Sequence, residues 1–267
     1  MPFIDWLIDT FAPHFGGAKI TKTETLALGS DIRQISISTR NGSIRWFPLE
    51  AGAKPRLVME KEAAGGSTQA VEEYLNKVSI QRHTSGTRTM FSAVKPERPS
   101  GVGPAKAGFS LYASPEHIQD FQAQTSNGRI TIAAEFKCGL DLRSRNGRIE
   151  VHSGQGEVRL STSNGRIELG RVKLSGTSSV TTSNGRISGE INFTEGGSHL
   201  FQTSNGNVSL RLPTDTKGSF DLATTNGRID FRLGEEAISG RRAFSFSNGT
   251  GLSIRVRTSN GSISLTD

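Results

Sequence analysis

Thr162-Ser163-Asn164-Gly165-Arg166-Ile167 and, 20 residues on, Thr182-Ser183-Asn184-Gly185-Arg186-Ile187 are the stretches whose reading decides the fold. Asn-Gly also occurs at Asn41, Asn127, Asn146, Asn205, Asn226, Asn248 and Asn260. From Asn127 to Asn248 the steps are 19, 18, 20, 21, 21 and 22 residues, and the last step is 12. A near-constant period of this length signals a repeat architecture. The flanks repeat too. Threonine stands two before the asparagine at Thr125, Thr162, Thr182, Thr203, Thr224 and Thr258, with serine in between at most copies. Three residues after it comes Ile44, Ile130, Ile149, Ile167, Ile187, Val208, Ile229 or Ile263, and four before it Ile37, Leu142, Leu160, Val180, Phe201, Leu222, Phe244 or Val256. Apolar residues spaced by two on both sides of a turn read as half-buried strands. At Asn248 the pattern fails, with Gly251 where isoleucine should be, and a bulge or irregular turn is expected there.

Asparagine and glycine enter the left-handed region at low cost, so the pair is expected to mark a sharp change of chain direction. As a type I′ hairpin turn it would give an antiparallel meander. As one corner of a coil it would give parallel strands, with asparagine amides bonded in a ladder spaced by about 4.8 Å. The coil is preferred, because stacked coils place equivalent residues above one another and so favour identity at each level. Gly154-Gln155-Gly156, Gly196-Gly197 and Pro213 to Gly218 supply a second corner midway. The expectation is an all-β chain, a parallel β-helix or β-solenoid with coils of about 20 residues, an N-terminal helix and a small α+β insertion. Asn127, Asn146, Asn164, Asn184, Asn205 and Asn226 are its structural turns, each coil resting on the previous one.

Residues 1–18 read as a short amphipathic helix, with Ile4, Leu7, Ile8, Phe11 and Phe15 at helical spacing and Pro13 limiting its length. Asp5 and Asp9 on its polar face disfavour anionic lipid, so a plug over the solenoid end is expected rather than a membrane helix. Residues 19–120 read as a first coil around Asn41 interrupted by an α+β insertion. That insertion has a short strand over Arg56–Glu60, a helix over Ser67–Val78 capped by Ser67, and a strand over Phe109–Ala113. Residues 121–267 are the solenoid repeats proper.

Only 33% of residues are hydrophobic and 7% aromatic, lean for a globule but sufficient where each coil needs a thin interior. Cys138 is the sole cysteine, so the fold needs no internal disulfide. No run of 18 apolar residues and no secretory leader is visible, which makes the cytoplasm the default expectation and leaves envelope association open. The net charge of +7 favours acidic partners.

A catalytic constellation is not legible. His14, His83, His117, His152 and His199 lie at no metal-ligand spacing, Cys138 reads as a core or loop residue, and nucleotide-binding loops and nucleophile elbows are missing. Asp141 and Asp221 hold equivalent positions, but four coils, about 19 Å, separate them. Carboxylate pairs that hydrolyse glycosides stand about 5–10 Å apart. The feature with functional interest is an arginine two after the asparagine, at Arg129, Arg148, Arg166, Arg186 and Arg228. Stacked, these form a cationic column, relieved by Glu150, Glu168 and Asp230 and extended by Arg45, Arg159, Arg211 and Arg232. It is either a soluble charge lattice or an anion-binding stripe for acidic polysaccharide or nucleic acid. No cofactor, metal or small-molecule substrate is expected; a protein partner or a second copy of the chain is.

With the copies at Asn127, Asn164 and Asn184 laid side by side, the chain resembles the bacterial "putative adhesin" domains of unknown function. Their hallmark is a recurring Thr-Ser-Asn-Gly-Asp-Ile-like motif on a β-solenoid. The resemblance covers Asn41, residues 120–267 and the helical segment around Glu72–Val78. Arginine stands here where an acidic residue is common in that family. The resemblance implies a non-enzymatic role, in some members at the cell envelope or in envelope-stress responses, and supplies no functional residues.

Overall fold

The alternation of apolar and polar residues around each Asn-Gly resolves, in a computed structural model, into paired strands facing one another across a thin core. The structure describes residues 8–9, 17–29, 32–194 and 196–267. The chain opens with Ile8–Asp9 (β1), Ala18–Ala27 (β2), Gln34–Asn41 (β3), Ile44–Phe47 (β4) and Arg56–Gly65 (β5). A helix, Thr68–Lys77 (α1), precedes Ser79–Ser85 (β6), Arg88–Val94 (β7) and Lys106–Tyr112 (β8). The regular repeats follow as Asp120–Asn127 (β9), Ile130–Ile132 (β10), Gly139–Ser144 (β11), Ile149–Gly156 (β12), Val158–Asn164 (β13) and Ile167–Leu174 (β14). They continue as Thr177–Asn184 (β15), Ile187–Phe193 (β16), Gly197–Asn205 (β17), Val208–Arg211 (β18), Ser219–Asn226 (β19) and Ile229–Leu233 (β20). Glu236–Arg241 (β21), Ala243–Ser247 (β22), Leu252–Asn260 (β23) and Ile263–Thr266 (β24) end the chain.

Each coil sends the strand before its corner into an 11-stranded sheet and the strand after it into a 13-stranded sheet. Within the stack the pairings are parallel, with corner asparagines in register, as in Asn164 opposite Asn184 and Asn184 opposite Asn205. The fold is therefore an all-β solenoid and not a meander. The isoleucine three residues after each asparagine points inward: Ile44, Ile130, Ile149, Ile167, Ile187, Ile229 and Ile263 are all 0% exposed. Each such side chain contributes about 1.5–3 kcal/mol by leaving water.

The corner itself works differently from the left-handed turn expected of Asn-Gly. None of its glycines sits near the left-handed φ of about +57°. The two with φ in the positive range, Gly42 at 159° and Gly206 at 157°, are almost fully extended. Glycine is required because successive corners touch. A Cβ on Gly147 would stand 1.8 Å from the carbonyl oxygen of Gly128, and one on Gly165, 2.1 Å from that of Gly147. That glycine carbonyl also accepts a hydrogen bond from the buried threonine of the next coil, as from Thr162 Oγ1 to Gly147 at 2.9 Å and from Thr182 Oγ1 to Gly165 at 3.0 Å. The glycine N–H bonds forward, Gly165 to the Asn184 carbonyl at 3.0 Å and Gly185 to the Asn205 carbonyl at 3.0 Å. The threonine hydroxyl, the glycine carbonyl and, at these corners, the glycine N–H are thus satisfied by copies of the same corner. The expected midway turn at Gly154 and Gly156 is likewise strand, where missing side chains admit the Phe136 and Cys138 carbonyls.

The coils do not stack in chain order. β19 and β20 are placed one position too far along, and the last coil, β23 and β24, fills the gap between them and β17 and β18. The first coil is bracketed in the same way: β7 and β8 form a further parallel coil outside β3 and β4. Asn248 belongs to no coil. It lies in the irregular turn expected there, and its side chain accepts from Gly218 N–H and donates to the Thr216 carbonyl. Antiparallel strands close the ends: β21 and β22 beyond β20 and β19, β5 and β6 beyond β8 and β7, with β2 on β5. The strand expected over Arg56–Glu60 runs on to Gly65 because β2 pairs with it along its whole length, with β8 on its other side as far as Glu62. α1 is capped by Ser67, packs on β2 and β5 with Val71, Tyr74 and Leu75 buried, and is tied down where buried Lys61 donates to the Val78 carbonyl at 2.5 Å. The helix expected over residues 1–18 lies mostly outside the described residues; Ile8–Asp9, within that range, pairs as a strand with β2.

Substituting Gly165→Ala is expected to destabilise the protein by about 3 kcal/mol or more in urea unfolding, because backbone must move to admit the methyl. Gly66→Ala, with nothing within 4 Å of the new carbon, is expected to change stability by no more than about 0.5 kcal/mol.

Candidate functional site

Eight corner asparagines form one exposed ladder, in the spatial order Asn41, Asn127, Asn146, Asn164, Asn184, Asn205, Asn260, Asn226, with each amide donating to the one before. The Nδ2 to Oδ1 distances run from 2.7 to 2.9 Å. Two residues beyond each asparagine stands the arginine column read from the sequence. Its order in space is Ser43, Arg129, Arg148, Arg166, Arg186, Asn207, Ser262, Arg228. Four arginines therefore occupy consecutive levels, while Arg228 is cut off by two uncharged positions because the last coil is inserted there.

The four share two carboxylates. Glu150 is reached by Arg148 at 2.6 Å and Arg129 at 3.8 Å, and Glu168 by Arg166 at 2.8 Å and Arg186 at 3.1 Å. Burial works to raise the Glu150 carboxyl, but the hydrogen bond from Arg148 and the Arg129 charge outweigh it and hold the group below the ordinary carboxylate value. Asp230 gives no such relief to Arg228; it accepts the Ser239 hydroxyl at 2.5 Å. Of the outlying arginines, Arg159 is paired with Glu157 at 2.5 Å on the other sheet, and Arg45 lies in a groove with Glu60, Glu62 and Lys106.

Beyond this column, toward the second corner, the outer face of the 13-stranded sheet is indented. A register shift between Leu169 and Arg171 falls at Gly170, whose Cβ would meet the His152 carbonyl at 2.0 Å. β10 and β18 also end early on either side of it. The result is a groove of about 510 Å³ across β12, β14, β16 and β18, lined by Glu135, Lys137, Arg171, Lys173, Glu190, Asn192 and Arg211 among others, while Val172, Ile191 and Leu212 between them are buried in the core. Lys137 is held by Glu116 at 2.6 Å. Arg171, Lys173 and Arg211 form no ion pair with any described residue. Counting outward from the asparagines finds Arg211 but misses Arg171 and Lys173, because the shift at Gly170 offsets every position after it by one.

The sequence-level catalytic candidates are placed as follows. Asp141 and Asp221 do share a column, but five levels separate them, one more than expected, because β23 intervenes. Each is engaged by arginine, Asp141 by Arg143 at 2.8 Å and Asp221 by Arg257 and Arg255. Cys138 is buried and its thiol is pushed up to about 12, which keeps it protonated and unreactive at neutral pH. Among the described residues no group of three or more His, Cys, Asp or Glu side chains could hold a metal ion, and no helix is long and apolar enough to cross a membrane.

His199 is 1% exposed, packed at a 40° tilt against Phe193 with ring centroids 4.8 Å apart, and neither ring nitrogen has a hydrogen-bond partner. Burial pushes its pKa down to about 4, below the usual 6.5. The folded state therefore binds its proton more weakly than the unfolded chain. The stability this confers is present above pH 6.5 and is lost as pH falls toward 4. Denaturant unfolding is expected to show a loss of roughly 3 kcal/mol over that window from this group, and His199→Leu should remove that part of the pH slope.

No curated protein matches the sequence. Among solved structures, it is similar to a "putative adhesin" from Bacteroides fragilis at 9% identity, over 92% of this chain and 96% of that one, with a TM-score of 0.41. It is also similar to a "putative cell adhesion protein" from Clostridium sporogenes at 11% identity, over 92% and 99% of the two chains, with a TM-score of 0.35. The sequence model of one family matches residues 26–266, from β2 through the inserted last coil, and the chain belongs to that family, Toastrack DUF4097.

Proposed function

We propose that the protein is a non-catalytic, adhesin-like interaction scaffold linked to the cell envelope. The observation that carries this reading is the use made of its charged groups. Asp141, Glu150, Glu157, Glu168 and Asp221 are each engaged by arginine on a rigid sheet surface. The arginines hold Glu150 and Asp221 below the ordinary carboxylate value, which suits neither to act as a general acid at neutral pH. Groups of this kind, spread over several levels, present a surface instead of a single reacting centre. The family membership and the similarity to proteins described as adhesins agree with this. The solenoid gives such a surface its rigidity, because each strand is hydrogen-bonded on both sides along the stack.

The corner arginines are a weaker basis for polyanion binding than their number suggests. Two glutamates already neutralise half of the charge of the four consecutive ones, and Arg228 stands apart. The purified chain is expected to bind bacterial envelope preparations saturably and to leave their polymers unaltered, as judged by sedimentation followed by mass spectrometry of the supernatant. Release of a new product that disappears on substituting one local cluster would contradict a non-catalytic role. Failure to sediment with the envelope would contradict the link to it.

A further inference from the structure

We infer that the groove around Arg171, Lys173 and Arg211 binds an acidic polysaccharide in which charged and neutral sugar units alternate. This rests on the reading of the chain as an interaction scaffold and names the ligand of one of its faces. The three cations are exposed and without ion-pair partners among the described residues, whereas the corner arginines are bridged by carboxylates. Unneutralised cations on a concave surface attract anions more strongly than those spent on ion pairs.

The order of groups along the stack sets the chemistry. Arg171, Glu190 and Arg211 are direct neighbours on β14, β16 and β18, and Lys173 lies beside Asn192. Cationic levels therefore stand two coil steps apart, about 10 Å, with an anionic level between them. A uniformly charged chain would set one of its anions against Glu190. A chain that alternates acidic and neutral sugars would set a carboxylate at each cationic level and hydroxyl groups between. Those hydroxyls can donate to Glu190, while the amides of Asn192 and Gln155 can both donate and accept. Single-stranded nucleic acid fits poorly, since no aromatic side chain lines the groove to stack a base.

The test is calorimetric titration of the full chain with a hyaluronan hexasaccharide at low salt. Saturable binding that weakens as salt is added is expected. The double variant Arg171→Glu/Arg211→Glu should bind on the order of tenfold more weakly or worse, while Arg129→Gln/Arg186→Gln should bind as the parent does. Glu190→Gln keeps the cations and should raise affinity for uniformly charged oligogalacturonate, a result that does not depend on the double variant folding. The inference is overturned if the parent does not bind the hexasaccharide, if a folded double variant binds equally well, or if oligothymidylate of equal length binds more tightly. Mass spectrometry of the recovered sugar separates the two levels of the account. Intact but unbound sugar sinks only the ligand assignment, whereas cleaved sugar sinks the non-catalytic reading itself.

Discussion

One contact governs this structure: the carbonyl oxygen of each corner glycine lies where the next corner glycine would carry a Cβ. At about 2 Å from that missing atom, no other residue fits without moving backbone. The contact brings the buried threonine of one coil onto the glycine carbonyl of its neighbour and aligns the asparagine amides outside it. Inward isoleucines then fall into one column, and the core follows from the corner. The corner is self-complementary, because what it offers on one side it needs on the other.

A self-complementary unit can be seated wherever a gap of the right shape exists. This explains how the chain can leave a space between β17 and β19 and fill it with β23, which shares the Thr-Ser-Asn-Gly sequence and makes the same glycine, threonine and asparagine contacts on both sides. The insertion locks the last 16 residues between coils made earlier. It also leaves an end that antiparallel strands can close, so the parallel stack is not left with open edges.

Much of this was legible in the sequence. The repeat period, the inward isoleucines and the helix capped by Ser67 all follow from local pattern and residue chemistry. What was not legible depends on contacts between distant segments. The corner glycine reads equally well as a left-handed turn or as a close approach, and only the neighbouring coil distinguishes them. Coil order is invisible because identical motifs carry no label of which neighbour they prefer. The groove was hidden for a related reason: a single shift at Gly170 moves Arg171 and Lys173 out of the count that finds the corner arginines. The same intercalation that reorders the coils removes Arg228 from the column that spacing alone would assign to it.

If corners and not chain order place the coils, the seat of the last coil is the feature to measure. Ser253 pairs with Ser198 on one side and with Ser219 on the other, and all three are exposed. Strand neighbours at this spacing lie within the Cα separations a disulfide accepts, roughly 4.4–6.8 Å. Cysteine pairs should be introduced at these positions in a Cys138→Ala background and oxidised in the native state. The account predicts efficient cross-links for 198 with 253 and for 219 with 253, and none for 198 with 219. An efficient cross-link between 198 and 219, with 253 left reduced, would contradict it.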